Sequence, residues 1–130
     1  YAHNPKEIEV TLQTAKQMGY KRVIAVFQPV TYSRTAMMLK EFARVLSIAD
    51  KTILTEIMGS REINTYNIYS SDLAALIPNG EWYDGFEETA GRVAEIAREG
   101  DLILTLGCGD IYKCARMILS ELKNRTGDQL

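Results

Sequence analysis

Short apolar runs alternate with amphipathic segments along the whole chain, and this alternation restricts the fold more than any other feature of the sequence. The runs are too short for helices, whereas the segments between them repeat apolar residues at helical spacing. Strands are predicted at 23–27, 51–57, 81–83 and 101–105, and helices at 5–18, 33–46, 71–76, 86–99 and 111–123. Such an order favours an α/β fold with a doubly wound, mostly parallel sheet and helices on both faces. Residues 124–130 are expected to form a frayed tail.

Composition limits the number of domains and the kinds of partner. With 130 residues, of which 46% are hydrophobic, the chain fits one domain spanning 1–130. Its 15 basic residues nearly balance its 17 acidic ones, so we expect neither nucleic acid nor a membrane surface as a partner. No apolar run approaches the ~20 residues of a membrane span, and the first residues do not resemble a signal peptide. A cytoplasmic location is expected, and the absence of an initial Met suggests a fragment of a longer chain.

Several kinds of catalytic site are missing from the sequence. The chain has one histidine, and Cys108 and Cys114 are spaced for neither zinc nor redox chemistry, so we expect no metal site and two reduced thiols. The phosphate-binding pattern Gly-x-x-x-x-Gly-Lys-Ser/Thr is also absent. We therefore predict no catalytic residue in these 130 residues and no reaction carried out by them alone.

Binding groups are expected in the loops that follow the strands, because ligands of doubly wound sheets lie at the carboxyl ends of the strands. Arg34 falls in the first turn of a helix that Thr31 or Ser33 is expected to cap. A cation is disfavoured at that end, so an anionic ligand would explain its position, although a surface cation remains an equal alternative. After the last strand, residues 107–110 supply either free amides for a ligand or a simple turn with Asp110 as helix cap, and spacing alone favours the turn.

Other candidates in the loops and at the amino terminus have simple alternatives. Arg61 and Glu62 are adjacent and can form a solvated pair. His3 and Tyr1 lie near the start of the chain, where exposure to solvent is the simpler interpretation.

Four motifs in the same order resemble those of the Mur ligases. Residues 1–5, YAHNP, resemble the end of the signature Asp-Asp-Tyr-Ala-His-His-Pro that opens the C-terminal domain of these enzymes. Residues 27–35, FQPVTYSRT, and 100–111, GDLILTLGCGDI, are similar to two further stretches of the alanine-adding branch. Residues 61–62 and the segment after them are similar to its Ala-Arg-Glu loop. The chain is identified on these motifs as a Mur ligase C-terminal domain, with a Rossmann-like fold.

The resemblance implies a role in an ATP-dependent ligase of peptidoglycan synthesis. Such enzymes use ATP and Mg²⁺, bound mainly by an N-terminal and a central domain, to convert a carboxylate into an acyl phosphate that an amine attacks. The partners implied for the full-length enzyme are L-alanine, ATP and UDP-N-acetylmuramate, together with its own two other domains. The residues implied for amino-acid binding are Arg34, Tyr32, His3, Gly107, Gly109, Asp110 and Arg61, and those implied for the nucleotide are Tyr1, His3 and Asn4. The isolated domain is expected to be inactive.

The chain departs from the family pattern at four positions. Asn4 and Val30 stand where histidines are common, Cys108 replaces an alanine, and Thr31 stands where some members have an arginine. Arg61 is then a second candidate for the substrate carboxylate. Two other functions remain open at this point, a murein tripeptide-recycling ligase domain and a stand-alone flavodoxin-like binding or regulatory module.

Overall fold

In the part of the chain that the structure describes, the nine predicted helices and strands follow one another in the predicted order, with one predicted helix divided into two. The structure is a computed structural model that describes the backbone of residues 2–128 and the side chains of residues 2–125. The elements are α1 (Pro5–Lys16), β1 (Arg22–Phe27), α2 (Tyr32–Met37), α3 (Leu39–Leu46), β2 (Lys51–Thr55), α4 (Ser70–Ala74), β3 (Glu81–Tyr83), α5 (Phe86–Ile96), β4 (Asp101–Leu106) and α6 (Ile111–Asp128).

The four strands form one parallel sheet in the order β3-β2-β1-β4. Arg22 of β1 is in register with Asp101 of β4, and Ile24 is in register with Lys51 of β2. The chain therefore winds outward from β1 in both directions, which confirms the predicted doubly wound α/β fold.

Two hydrophobic layers cover the sheet, because β1 alternates its side chains between the faces. Phe27 points to the layer formed with α1, α3 and α4, where its ring centroid lies 5.5 Å from that of Phe42. Ile24 and Val26 point to the opposite layer, which is formed with α5 and α6. Since both faces of the strand are buried, an uninterrupted apolar run was the correct signal for it.

The start of α1 agrees with its sequence, but its end does not. Asn4 accepts a hydrogen bond from the Glu7 N–H at 2.9 Å, and Pro5 occupies the first turn. The helix ends at Lys16, before the left-handed Gly19, and Met18 is 60% exposed. The predicted helix 5–18 is therefore two residues too long, since the chain has already left the helix at Met18.

The predicted helix 33–46 is two helices. Met38 has φ −114° and ψ 25°, which separates α2 from α3. The apolar residues of the predicted stripe begin at Met38 itself, which packs with Leu39 and Phe42 against one hydrophobic layer, so the apolar pattern contained no sign of an interruption.

Other boundaries also differ from the prediction. The second strand ends at Thr55, and α5 ends at Ile96 because Ala97 is extended and the Arg98 N–H donates to the Asp101 carboxylate. The last helix continues to Asp128 instead of ending at 123, while residues 129–130 of the expected tail lie outside the described part of the chain. Cys108 and Cys114 are both free, as expected, and burial raises the pKa of the Cys114 thiol to about 11.

Candidate functional site

Loops from three adjacent strands meet at the carboxyl end of the sheet. Strands β1 and β4 leave the sheet side by side but lead to helices on opposite faces, which is the arrangement that opens a crevice in doubly wound folds. The loop after β2 joins them through a backbone bridge between Val30 and Met58. The candidate site therefore consists of residues 28–34, 58–62 and 107–110.

The loop after β4 lies directly against Gln28. The Gln28 side-chain amide donates to the Asp110 carboxylate at 3.3 Å, and Gly107 has a φ of +149° that favours glycine. A Cβ on Gly109 would lie 2.5 Å from Met58 Cε and 3.0 Å from Gln28 Oε1. Both glycines thus allow this loop to pack closely against Gln28 and Met58, and their role in binding stays a prediction.

Gln28 is 5% exposed, and its Oε1 atom is buried without a hydrogen-bond partner among the described residues. A buried acceptor of this kind costs free energy. The sequence analysis did not select Gln28, since its partner Asp110 is 82 residues away.

The start of α2 differs from its prediction. Neither Thr31 nor Ser33 caps the helix; Thr31 has a φ of +66° and its side chain makes no capping bond. Instead the Glu62 carboxylate accepts from the Ser33 N–H at 3.0 Å and from the Ser33 hydroxyl. These hydrogen bonds hold the pKa of Glu62 below its usual range, helped by the Tyr32 N–H and the charge of Arg34. The anion at this helix end therefore comes from the protein itself.

Arg34 is exposed beside this cap. It lines an open hollow of about 400 Å³ together with Thr31, Ser33, Met37, Met38 and Glu62. The salt bridges found among residues 2–125 do not include the Arg34 guanidinium. Its charge is accordingly available at the surface of the site.

Arg61 is exposed in the loop after β2. Its neighbour Glu62 accepts hydrogen bonds from Ser33 instead of forming a solvated pair with Arg61. Sequence reasoning therefore missed Glu62, and it also missed Gly59 and Met58 of this loop. The similarity to an Ala-Arg-Glu loop was the only available signal for Glu62.

The amino-terminal candidates lie next to the break between α2 and α3. Asn4 and Arg34 line two different hollows that share Met38, so the two segments are neighbours. The His3 imidazole lies 3.3 Å from the Glu7 carboxylate, at the start of α1. Tyr1 lies outside the described residues. The binding roles of these residues stay predictions.

The strand order and the geometry of the site define the class of protein. This is a parallel α/β domain with a polar, glycine-containing site at the switch point of its sheet, a type of site that binds small ligands. The family model described as "Mur ligase, glutamate ligase domain" matches residues 1–109, and the chain belongs to that family.

Two curated relatives that the chain resembles are ligases of the alanine-adding branch of this family. The chain is 41% identical over 125 residues to the UDP-N-acetylmuramate–L-alanine ligase of Caldicellulosiruptor saccharolyticus, covering 93% of the chain. It is 43% identical over 127 residues to the ligase of the same name from Caldanaerobacter subterraneus subsp. tengcongensis, covering 95% of the chain. In both comparisons the chain spans only 28% of the relative's length.

Solved structures show the same fold. The UDP-N-acetylmuramate-alanine ligase of Thermotoga maritima has a TM-score of 0.69 and 25% identity, with 96% of this chain and 26% of that chain covered. A murein peptide ligase from Psychrobacter arcticus has a TM-score of 0.73 at 21% identity, with 95% of this chain and 26% of that chain covered, and supports the fold alone.

Two further searches concern the described part of the chain only. No group of three or more His, Cys, Asp or Glu side chains there is arranged to hold a metal ion. None of the helices described is both long and apolar enough for a transmembrane span.

Proposed function

We propose that the chain is the amino-acid-binding domain of a cytoplasmic, ATP-dependent ligase that joins L-alanine to UDP-N-acetylmuramate during peptidoglycan synthesis. The observation that carries the proposal is Arg34, an exposed cation held at the carboxyl end of the sheet, in a chain more than 40% identical to alanine ligases.

The two charged groups of an amino acid match the two sides of this site. We assign the amino-acid carboxylate to Arg34, because a guanidinium pairs with a carboxylate through two parallel hydrogen bonds. Tyr32, His3 and Arg61 are the further candidates on that side of the crevice.

On the other side, Asp110 supplies a carboxylate for the ammonium group. Gly107 and Gly109, which let this loop pack closely against Gln28 and Met58, are assigned to the same side of the ligand. Holding both ends of the amino acid would orient its amine for attack, which is a major source of rate enhancement.

The nucleotide is assigned mainly to the other domains of the full-length protein. In this proposal Tyr1, His3 and Asn4 contribute to the ATP site from the start of the domain, and ATP with Mg²⁺ supplies the chemistry that activates the substrate carboxylate. The domain would close against its N-terminal and central neighbours and keep water away from the activated carboxylate.

An acceptor assay of the full-length enzyme tests the proposal. We expect phosphate release in the presence of ATP, Mg²⁺ and UDP-N-acetylmuramate to depend on L-alanine. Release that depends on a murein tripeptide instead would assign the chain to a recycling ligase.

The isolated 130-residue chain is a second test. We expect it to hydrolyse no ATP and to bind L-alanine weakly or undetectably by calorimetry, because the proposal places the rest of the site on other domains. Saturable micromolar binding of L-alanine by this chain alone would contradict that division.

A further inference from the structure

We propose that residues 58–62, here named the clamp loop, set the position of Arg34, with Glu62 acting as a positioning residue for amino-acid binding. This inference rests on the proposed function of Arg34. It concerns how the chain holds that residue, and it assigns the contacts below to a role in substrate affinity.

The backbone that leads to Arg34 is unfavourable by itself. Thr31 is β-branched and adopts a φ of +66°, a region that such residues rarely occupy. Helix α2 has only six residues and receives no cap from Thr31. Contacts from outside this segment must therefore stabilise its conformation.

The clamp loop supplies the first of these contacts through its backbone. The Thr31 N–H donates to the Met58 carbonyl at 2.9 Å, and the Met58 N–H donates to the Pro29 carbonyl at 2.9 Å. These two hydrogen bonds attach the backbone from Pro29 to Thr31 to Met58 of the clamp loop.

Glu62 supplies the second contact. Its carboxylate accepts from the N–H and the hydroxyl of Ser33, which immediately precedes Arg34. An acidic group at the start of a helix is favoured electrostatically, and here it comes from 29 residues further along the chain.

The third contact is between the Tyr32 ring and the backbone at Gly59, which has no side chain in the way. A Cβ at this position would lie 2.5 Å from Cε2 and 2.9 Å from Cζ of the Tyr32 ring. A glycine at this position therefore lets the Tyr32 ring pack against the clamp loop, while Glu62 holds Ser33.

The arrangement holds the backbone around Arg34 and leaves its guanidinium uncommitted. The Glu62 carboxylate accepts from Ser33, and none of the salt bridges found among residues 2–125 joins it to Arg34. We infer that the clamp loop lowers the cost of ordering Arg34 when a substrate carboxylate arrives.

A double-mutant cycle in the full-length enzyme tests this inference. Glu62→Ala is expected to raise the KM for L-alanine about tenfold, and less than about twofold when Arg34→Ala is already present. The KM for UDP-N-acetylmuramate should not change. Glu62→Gln, which keeps an acceptor for the Ser33 N–H, should recover part of the loss. Glu41→Ala, which removes an exposed carboxylate paired with Arg44, is the matched control and should leave both KM values unchanged.

Hydrogen exchange of the peptide containing residues 31–35 in the same full-length variants is the second readout. We expect Glu62→Ala to speed exchange there, because the Ser33 amide loses its acceptor. If Glu62→Ala leaves exchange of this peptide unchanged, Glu62 does not hold the segment, and the inference is wrong whatever the kinetics show. If Glu62→Ala raises the alanine KM equally with and without Arg34→Ala, Glu62 does not act through Arg34, and the inference is wrong. If Arg34→Ala alone leaves the alanine KM unchanged, the proposed function of Arg34 fails, and faster exchange would then support the clamp as a purely structural contact.

Discussion

At the amino ends of the strands, charged residues pair with one another, whereas at the carboxyl ends two buried polar atoms have no hydrogen-bond partner among the described residues. Each strand begins with a charged residue, namely Arg22, Lys51, Glu81 and Asp101. These residues pair across neighbouring strands, Arg22 with Asp101 at 2.7 Å and Lys51 with Glu81.

At the carboxyl end of the sheet, polar atoms are buried without hydrogen-bond partners in the part of the chain that the structure describes. Within the described residues, the two buried side-chain atoms without a hydrogen-bond partner are Gln28 Oε1 and Thr55 Oγ1, and both lie at carboxyl ends of strands. Thr31 has left-handed backbone there, and Arg34 is exposed. We expect the paired charges at the amino end to stabilise the fold, and the proposed function assigns binding to the carboxyl end, so mutations at the two ends should have separable effects.

The largest effect is expected at the amino end, from Glu81. Hydrogen bonds from Arg92, Lys51 and Tyr83 lower the pKa of Glu81 from 4.5 to about 2, despite its partial burial. This shift corresponds to about 3 kcal/mol of unfolding free energy. Because the folded pKa is depressed, the contribution is complete above pH 4.5 and is lost as the pH falls toward 2. Glu81→Gln should lower stability at pH 7 by about that amount and flatten its acid dependence between those values.

Urea unfolding between pH 2 and 7 measures this effect. Glu95→Gln is the matched control, since Glu95 contacts the same Arg92 but is 62% exposed, and we expect little change from it. A raised amino-acid KM in Glu81→Gln would break the separation between the two ends.

The next effect concerns Arg34 at the carboxyl end. Arg34→Ala removes a charge-assisted hydrogen bond worth about 1.5–3 kcal/mol, so the alanine KM should rise roughly 10- to 150-fold. Arg34→Lys should recover only part of this loss, because a point charge lacks the planar fork of a guanidinium. Steady-state kinetics of the full-length enzyme would show it, with the KM for nucleotide sugar much less affected. An unchanged alanine KM with a lower melting temperature would make Arg34 structural and Arg61 the next candidate.

Gly109→Val should have a smaller effect of the same kind. A β-branched side chain there displaces Met58 and Gln28 and narrows the crevice, so we expect kcat/KM to fall about tenfold, with the melting temperature changing by only a few degrees. Gly91→Val adds the same side chain where a Cβ meets no atom within 4 Å, and it should retain activity. Full activity of Gly109→Val would make the loop a simple connection between β4 and α6.

The smallest effect is expected from Arg44→Ala, on the exposed face of α3. Arg44 pairs with Glu41 and Glu9, but its side chain is 56% exposed and such pairs contribute little. Its melting temperature should change by less than about 2 °C, as calorimetry would show, without any change in kinetics. A larger loss would mean that ion pairs far from the amino ends of the strands also stabilise the fold.

The sequence by itself determined the order of elements, the parallel class of the sheet and the cap of α1. Each of these follows from residues close together in the chain, since apolar periodicity and the Asn4–Glu7 capping box act within a few positions. The motifs of residues 27–35 and 100–111 also pointed to the segments that meet at the site.

Only the tertiary structure decided how the site is held together. The break at Met38 left no trace in the apolar pattern, and the caps expected from Thr31 or Ser33 were replaced by Glu62. Hydrogen bonds from Ser33 to Glu62 and from Gln28 to Asp110 join residues 29 and 82 positions apart. Local patterns do not specify such pairs, because they form only after the parallel sheet has brought the carboxyl ends of its strands to one edge.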